Sequence, residues 1–141
     1  MAEISSYFDS HDQTLTILVS GPAQAGDFVT TIRHHYQQSG CQLVIWDLCD
    51  ADLRLIDTAD LEQIMLAARQ CSPHRPSAPT LFIGNHPFIY GMLRMYTQQA
   101  RTTRIGAPIE AFRNWDQLNQ WLENEELPTR SRPSSLLDSC R

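Results

Sequence analysis

Two rhythms of apolar and polar positions run along the chain. Short runs rich in β-branched and aromatic residues (Ile4 to Phe8, Thr14 to Ser20, Gln42 to Leu48, Thr80 to Ile83, Ile109 to Phe112) are bounded by turn formers, the pattern of strands. Between them the apolar positions recur at helical spacing. Phe28, Ile32 and Tyr36 stand every fourth residue, which predicts a first helix from Ala25 to Ser39 with Gly40 as its C-cap. Leu61, Ile64, Met65 and Ala68 form a second stripe, Ile89, Leu93, Tyr96 and Ala100 a third, and Trp115, Leu118, Trp121 and Leu122 a fourth. The order is β-β-α-β-α-β-α-β-α, an α/β fold with a mixed β-sheet flanked by helices.

Three details refine that order. The polar turn Asp9 to Gln13 joins the first two strands as a hairpin, and Gly21-Pro22 ends the second. Gln42 to Leu48 is apolar on both faces, as a central strand covered from each side must be. Pro108 cannot donate to a ladder, which puts the last strand at an edge.

The run Val44-Ile45-Trp46 breaks into an acidic loop, Asp47 to Asp57, before the second helix. That helix starts at Asp57 or Thr58, capped by Asp57 with Asp60 or by Thr58 with Glu62. Sites of open α/β sheets collect at the carboxyl ends of strands, so Asp57, Thr58 and Asp60 are candidate binding residues. The third helix opens at Gly84-Asn85-His86-Pro87, with proline at its first position and His86 helping to cap it. Its residues Phe88, Met92 and Met95 lie off the inner stripe and widen the apolar surface; with Tyr90 they form a candidate interface. Residues 1–126 are expected to form the domain, and 127–141, with two prolines and four serines, a disordered tail with at most a Leu136-Leu137 contact.

Composition narrows the classes. With 42% apolar residues in 141, the chain can bury a core without staples. No stretch approaches the roughly 18 apolar residues of a membrane span. The first residues carry an early acid and no long apolar segment, unlike a secretory signal, so a cytoplasmic location is expected. Cys41, Cys49, Cys71 and Cys140 have no zinc or redox spacing and are expected as reduced thiols. All 11 basic residues are arginine, which excludes Schiff-base chemistry and the lysine of a phosphate loop. Net charge is −5, and the body before the arginine-bearing tail is more acidic still, so no nucleic-acid partner is expected.

Val44-Ile-Trp-Asp-Leu48 leading to Ile56-Asp-Thr-Ala-Asp-Leu61, Tyr90-Gly-Met-Leu-Arg-Met-Tyr96 and Phe112-Arg-Asn-Trp-Asp-Gln-Leu-Asn-Gln-Trp-Leu122 resemble the SpoIIAA-like, or STAS, superfamily in its uncharacterised bacterial branch. The resemblance spans roughly residues 3 to 124. It implies a protein-interaction module. In phosphorylated relatives a serine opens the helix; here that position is Ala59, and the glycine after it is Asp60, so the phospho-switch the family implies lacks its hydroxyl and gains a repelling charge. Thr58 beside it is a helix cap before it is a phosphoacceptor.

The remaining chemistry is thin. The aspartates from Asp47 to Asp60 suit a hard cation, but equally suit turns and helix starts, and they match no calcium-loop spacing. Asp47 at a strand end resembles a receiver phosphoacceptor, a reading that fails for want of a lysine. Cys71 and His74, or His34-His35, are isolated pairs where structural zinc needs four convergent ligands. No nucleophile elbow or phosphate loop occurs. The expected protein is a non-catalytic interaction module without cofactor, metal or membrane insertion, binding a protein partner or itself. The alternatives are a small apolar ligand or lipid-binding domain and a carboxylate- or metal-dependent hydrolase.

Overall fold

The computed structural model describes residues 2–36, 41–71, 78–102 and 107–133. Its elements follow the order β1 (Glu3–Asp9), β2 (Thr14–Pro22), α1 (Ala25–Tyr36), β3 (Leu43–Asp52), α2 (Thr58–Gln70), β4 (Thr80–Ile83), α3 (Pro87–Thr102), β5 (Ile109–Phe112), α4 (Trp115–Asn124). The strands lie side by side in chain order. β1 and β2 form the antiparallel hairpin, and β2, β3, β4 and β5 run parallel. β3 is the central strand and β5 an edge, as its apolar faces and Pro108 predict. The end of the first helix expected at Ser39 with its Gly40 cap, residues 72–77 of the stiff turn that the prolines from Ser72 to Pro79 predict, His74, Leu136-Leu137 and Cys140 lie outside the described residues.

Side chains alternate across β3. Val44, Trp46 and Leu48 join α1, α2 and α3 in one core, whereas Leu43 and Ile45 join Leu81, Ile83 and α4 in another. The first core holds a chain of rings: Phe28 to Trp46 at 5.6 Å between centroids, Trp46 to Phe82 at 6.4 Å, Phe82 to Tyr96 at 5.5 Å. Trp46 Nε1 donates to Tyr36 Oη at 2.9 Å, which satisfies the buried indole. Gly84 lets α3 come down close on β4: a Cβ there would sit 2.6 Å from the Ile89 side chain.

The strand is longer than its apolar run. Asp50 and Asp52, beyond the strand end expected at Leu48, belong to β3. Leu18 and Ser20 of β2 face Asp47 and Asp50, so two steps of one strand match three of the other and β3 carries a bulge at Leu48-Cys49. The extra residue turns Asp50 toward the α4 face that Asp47 already faces. Asp47 Oδ1 accepts from Cys49 N–H at 3.1 Å, taking up a donor the bulge displaces. At the strand's end the Arg54 guanidinium, 2.7 Å from the Asp52 carboxylate, holds that acid down at about 2. The cation two residues on thus makes Asp52 tolerable as the end of a strand.

Cys41 and Cys71 are free thiols, whereas Cys49 is disulfide-bonded, against the expectation of reduced cysteines throughout. Leu127 to Pro133, for which the sequence predicts no fixed structure, runs extended beside α4 and is pinned by the ion pairs described below.

Candidate functional site

The turn from β3 to α2 is built as its residue types demand. Asp57 is the N-cap: its Oδ1 accepts from Asp60 N–H at 2.8 Å, and Asp60 Oδ2 accepts from Asp57 N–H at 3.0 Å, a reciprocal capping box. Asp57 rather than Thr58 therefore caps the helix. Asp57, Thr58 and Ala59 are exposed at the carboxyl end of the sheet, with Asp60 half-buried. Negative charge at a helix start is favourable, and each carboxylate already spends an oxygen on the backbone.

α3 presents the candidate interface. His86 Nδ1 accepts from Phe88 N–H at 3.1 Å, the capping role expected of it. Ile89, Leu93, Tyr96 and Ala100 are buried, and Phe88 and Met95 are 41% and 44% exposed. Met92 is half-buried against the core, so Phe88, Met92 and Met95, spaced by four and three residues, make one ridge along the outside of the helix. Tyr90 sits apart from that ridge in a cationic bracket. Arg113 lies over its ring, 4.5 Å from the centroid, and Arg94 Nη1 reaches its hydroxyl at 3.4 Å, which lowers that hydroxyl's pKa.

Between α1, α2 and α3 lies an apolar cleft floored by Trp46 and Phe82 and walled by Phe28, Tyr36, Ile64 and Tyr96. It holds about 50 Å³, and an adjoining part under Met92 about 40 Å³. Drug-sized ligands need roughly 300–1,000 Å³. Burial in this apolar layer pushes the Tyr96 hydroxyl pKa up, with Tyr36 adding to it.

On the opposite face lies a constellation that no sequence motif announces. Asp47, its side chain fully buried, accepts from Trp115 Nε1 at 3.0 Å through Oδ2, and the same oxygen lies 2.9 Å from Arg132 Nε. Arg132 Nη2 reaches Asp50 at 3.2 Å. Two residues back, Arg130 Nη2 pairs with Asp12 at 3.0 Å and its Nε donates to Thr14 Oγ1 at 3.1 Å. Asn119 of α4 grips the backbone of Arg130 at both ends: Nδ2 donates to the carbonyl at 2.7 Å and Oδ1 accepts from the N–H at 2.7 Å. The available signal was an Arg-x-Arg pair following an acidic body, but the separation of 82 positions between Asp50 and Arg132 hides the pairing.

The aspartates of the acidic segment thus divide between two tasks: Asp47 and Asp50 within β3 pair with Arg132, and Asp57 and Asp60 beyond it cap α2. Among the described residues no three His, Cys, Asp or Glu side chains group as a metal site. No helix among them is long and apolar enough to cross a membrane. No protein-family model matches the chain, and no curated protein matches it.

Proposed function

We propose that the protein is a non-catalytic interaction module of SpoIIAA-like type, acting in the cytoplasm and docking a protein partner or a second copy of itself through α3. The observation that carries this reading is the Phe88-Met92-Met95 ridge, uncovered on a helix whose other side is fully engaged in the core. Solvent-exposed Phe and Met on one face offer apolar area together with side chains that adapt to a partner. The guanidiniums around Tyr90 flank the ridge with positive charge, unusual in an acidic protein, and so favour an acidic counterpart. The β-β-α-β-α-β-α-β-α order, with its antiparallel first pair, supports the SpoIIAA-like resemblance.

Sedimentation of the full chain tests the reading. Phe88→Asp should abolish self-association, or capture of a partner by the wild-type chain, while the circular dichroism spectrum stays that of the folded protein. Association unchanged by Phe88→Asp sinks it. The cleft beneath α3 favours one second reading, a small apolar ligand, which requires α3 to move outward from Phe82 because the present space is a fraction of a ligand's volume. The hydrolase reading draws no support, since the carboxylates it needs are engaged as caps and ion pairs.

A further inference from the structure

Among the described residues, the face of the sheet away from α3 has one helix for five strands. Strands spaced about 4.8 Å apart make a sheet roughly 20 Å wide, and a helix with its side chains covers about 10 Å. α4 packs on β4 and β5, and the segment from Thr129 to Pro133 lies toward β2 and β3. A cover serving stability alone would be apolar. This one is Thr-Arg-Ser-Arg-Pro, and its buried contact is an ion pair, a weak source of stability against an apolar pair of the same volume.

Its features are those of a bound peptide. Arg130 and Arg132 point inward and Thr129 and Ser131 outward, the alternation of an extended segment. Asn119 satisfies both backbone groups of Arg130, as a neighbouring strand would, and so reads the chain without reading its side chain. Three carboxylates, Asp12, Asp47 and Asp50, await two guanidiniums. Arg132 sets one planar guanidinium against two carboxylates, Nε in close ion-pair contact with Asp47 and Nη2 hydrogen-bonded to Asp50, a spread that the single ammonium of lysine does not match.

We propose that this groove is a recognition site for an extended segment carrying arginines two residues apart, occupied in cis by Arg130 and Arg132 and open in exchange to such a segment of a partner protein. Asp47 makes the exchange selective. A fully buried carboxylate is costly without its cation, so when the strap leaves, another arginine is the favoured replacement. The link to the strap is exposed from Glu123 to Thr129, so its departure uncovers no core. The site lies on the face opposite the Phe88 ridge and stands or falls independently of it.

The test uses the full chain carrying Arg130→Ser with Arg132→Ser, in reductant so that the disulfide at Cys49 constrains nothing, and a synthetic peptide Leu-Pro-Thr-Arg-Ser-Arg-Pro. Calorimetry should give saturable one-to-one binding, and the Trp115 indole N–H resonance should return toward its wild-type position as Asp47 regains its cation. Wild-type protein should bind the peptide at least tenfold more weakly because its own strap competes. Replacing both peptide arginines by lysine, or adding Asp47→Asn to the protein, should also cost at least tenfold. Absence of saturable binding to the folded variant overturns the proposal, as does equal binding of a peptide with its two arginines adjacent or equal binding to wild type. If the double variant fails to fold, the strap is a structural staple and the proposal is equally overturned.

Discussion

The two faces of the sheet solve the same covering problem with different chemistry. On one, α1, α2 and α3 lay apolar stripes over Leu15, Ile17, Val44, Trp46, Leu48 and Phe82, and the chain of rings from Phe28 to Tyr96 fills the layer between. On the other, α4 buries Trp115, Leu118 and Leu122 over Ile45, Leu81 and Ile83, and the remainder is closed by a charged strap on a buried aspartate. Apolar burial is non-directional and adds up with area, so the first face tolerates rearrangement. The second depends on a few directed contacts, each costly to leave half-made. The difference teaches where stability resides and where exchange is possible: the first face holds the fold, and the second holds something that can be traded.

The largest expected effect tests the first half of that contrast. Trp46→Ala removes a side chain that is 1% exposed together with its hydrogen bond to Tyr36, and should destabilise the fold by roughly 3–5 kcal/mol, read as a drop in the urea midpoint at unchanged slope. A loss under about 1 kcal/mol would mean that the ring layer is not the core it resembles. Next, Asp47→Ala strands Trp115 Nε1 and removes one of the two carboxylates beside Arg132; because Asp50 stays paired with Arg132, the expected cost is about 2–3 kcal/mol. Replacing the pair together by Asp47→Leu with Arg132→Met should recover part of that loss, with Trp115 Nε1 still unpaired, whereas a double variant no more stable than Asp47→Ala would show that the face does not depend on the pair. Urea denaturation of the three proteins decides between those outcomes.

The smallest effect is one of pH. Burial raises the Tyr96 pKa in the folded protein above that of an unfolded tyrosine, near 10. The stability this brings is fully present below about pH 10 and is lost as pH rises beyond it, when the unfolded chain ionises and the folded one resists. Tyr96→Phe should therefore leave stability at pH 7 within about 1 kcal/mol and move alkaline unfolding to higher pH. An unchanged alkaline midpoint would show that Tyr96 is not the residue that titrates on unfolding.

Legibility in the sequence followed the range of the interaction. The α3 stripe and the outward Phe88 and Met95 were readable because a helix repeats every 3.6 residues whatever it packs against. The Asp57-Asp60 capping box was readable, as one of two options, because its partners are three residues apart. The extension of β3 past Leu48 through Asp50 and Asp52 was not, since acids at a strand's end are held there by cations whose place the periodicity does not give. Nor was the strap: Pro, Ser and Arg read as solvated tail until Asn119 and Asp47 are placed opposite them. The disulfide at Cys49 likewise has no local pattern.

By itself, then, the sequence determined the elements, their order, the central place of β3, the inner faces of α3 and α4, and the exclusion of lysine-based chemistry, all properties of local periodicity or of composition. Only the tertiary structure decided which aspartates cap and which pair with arginine, that the bulge at Leu48-Cys49 brings Asp47 and Asp50 to one face, and that Arg130 and Arg132 fill the groove beside α4. The physical reason is that a charge carries no record of its partner: its pairing depends on distance in space, and folding alone sets that distance.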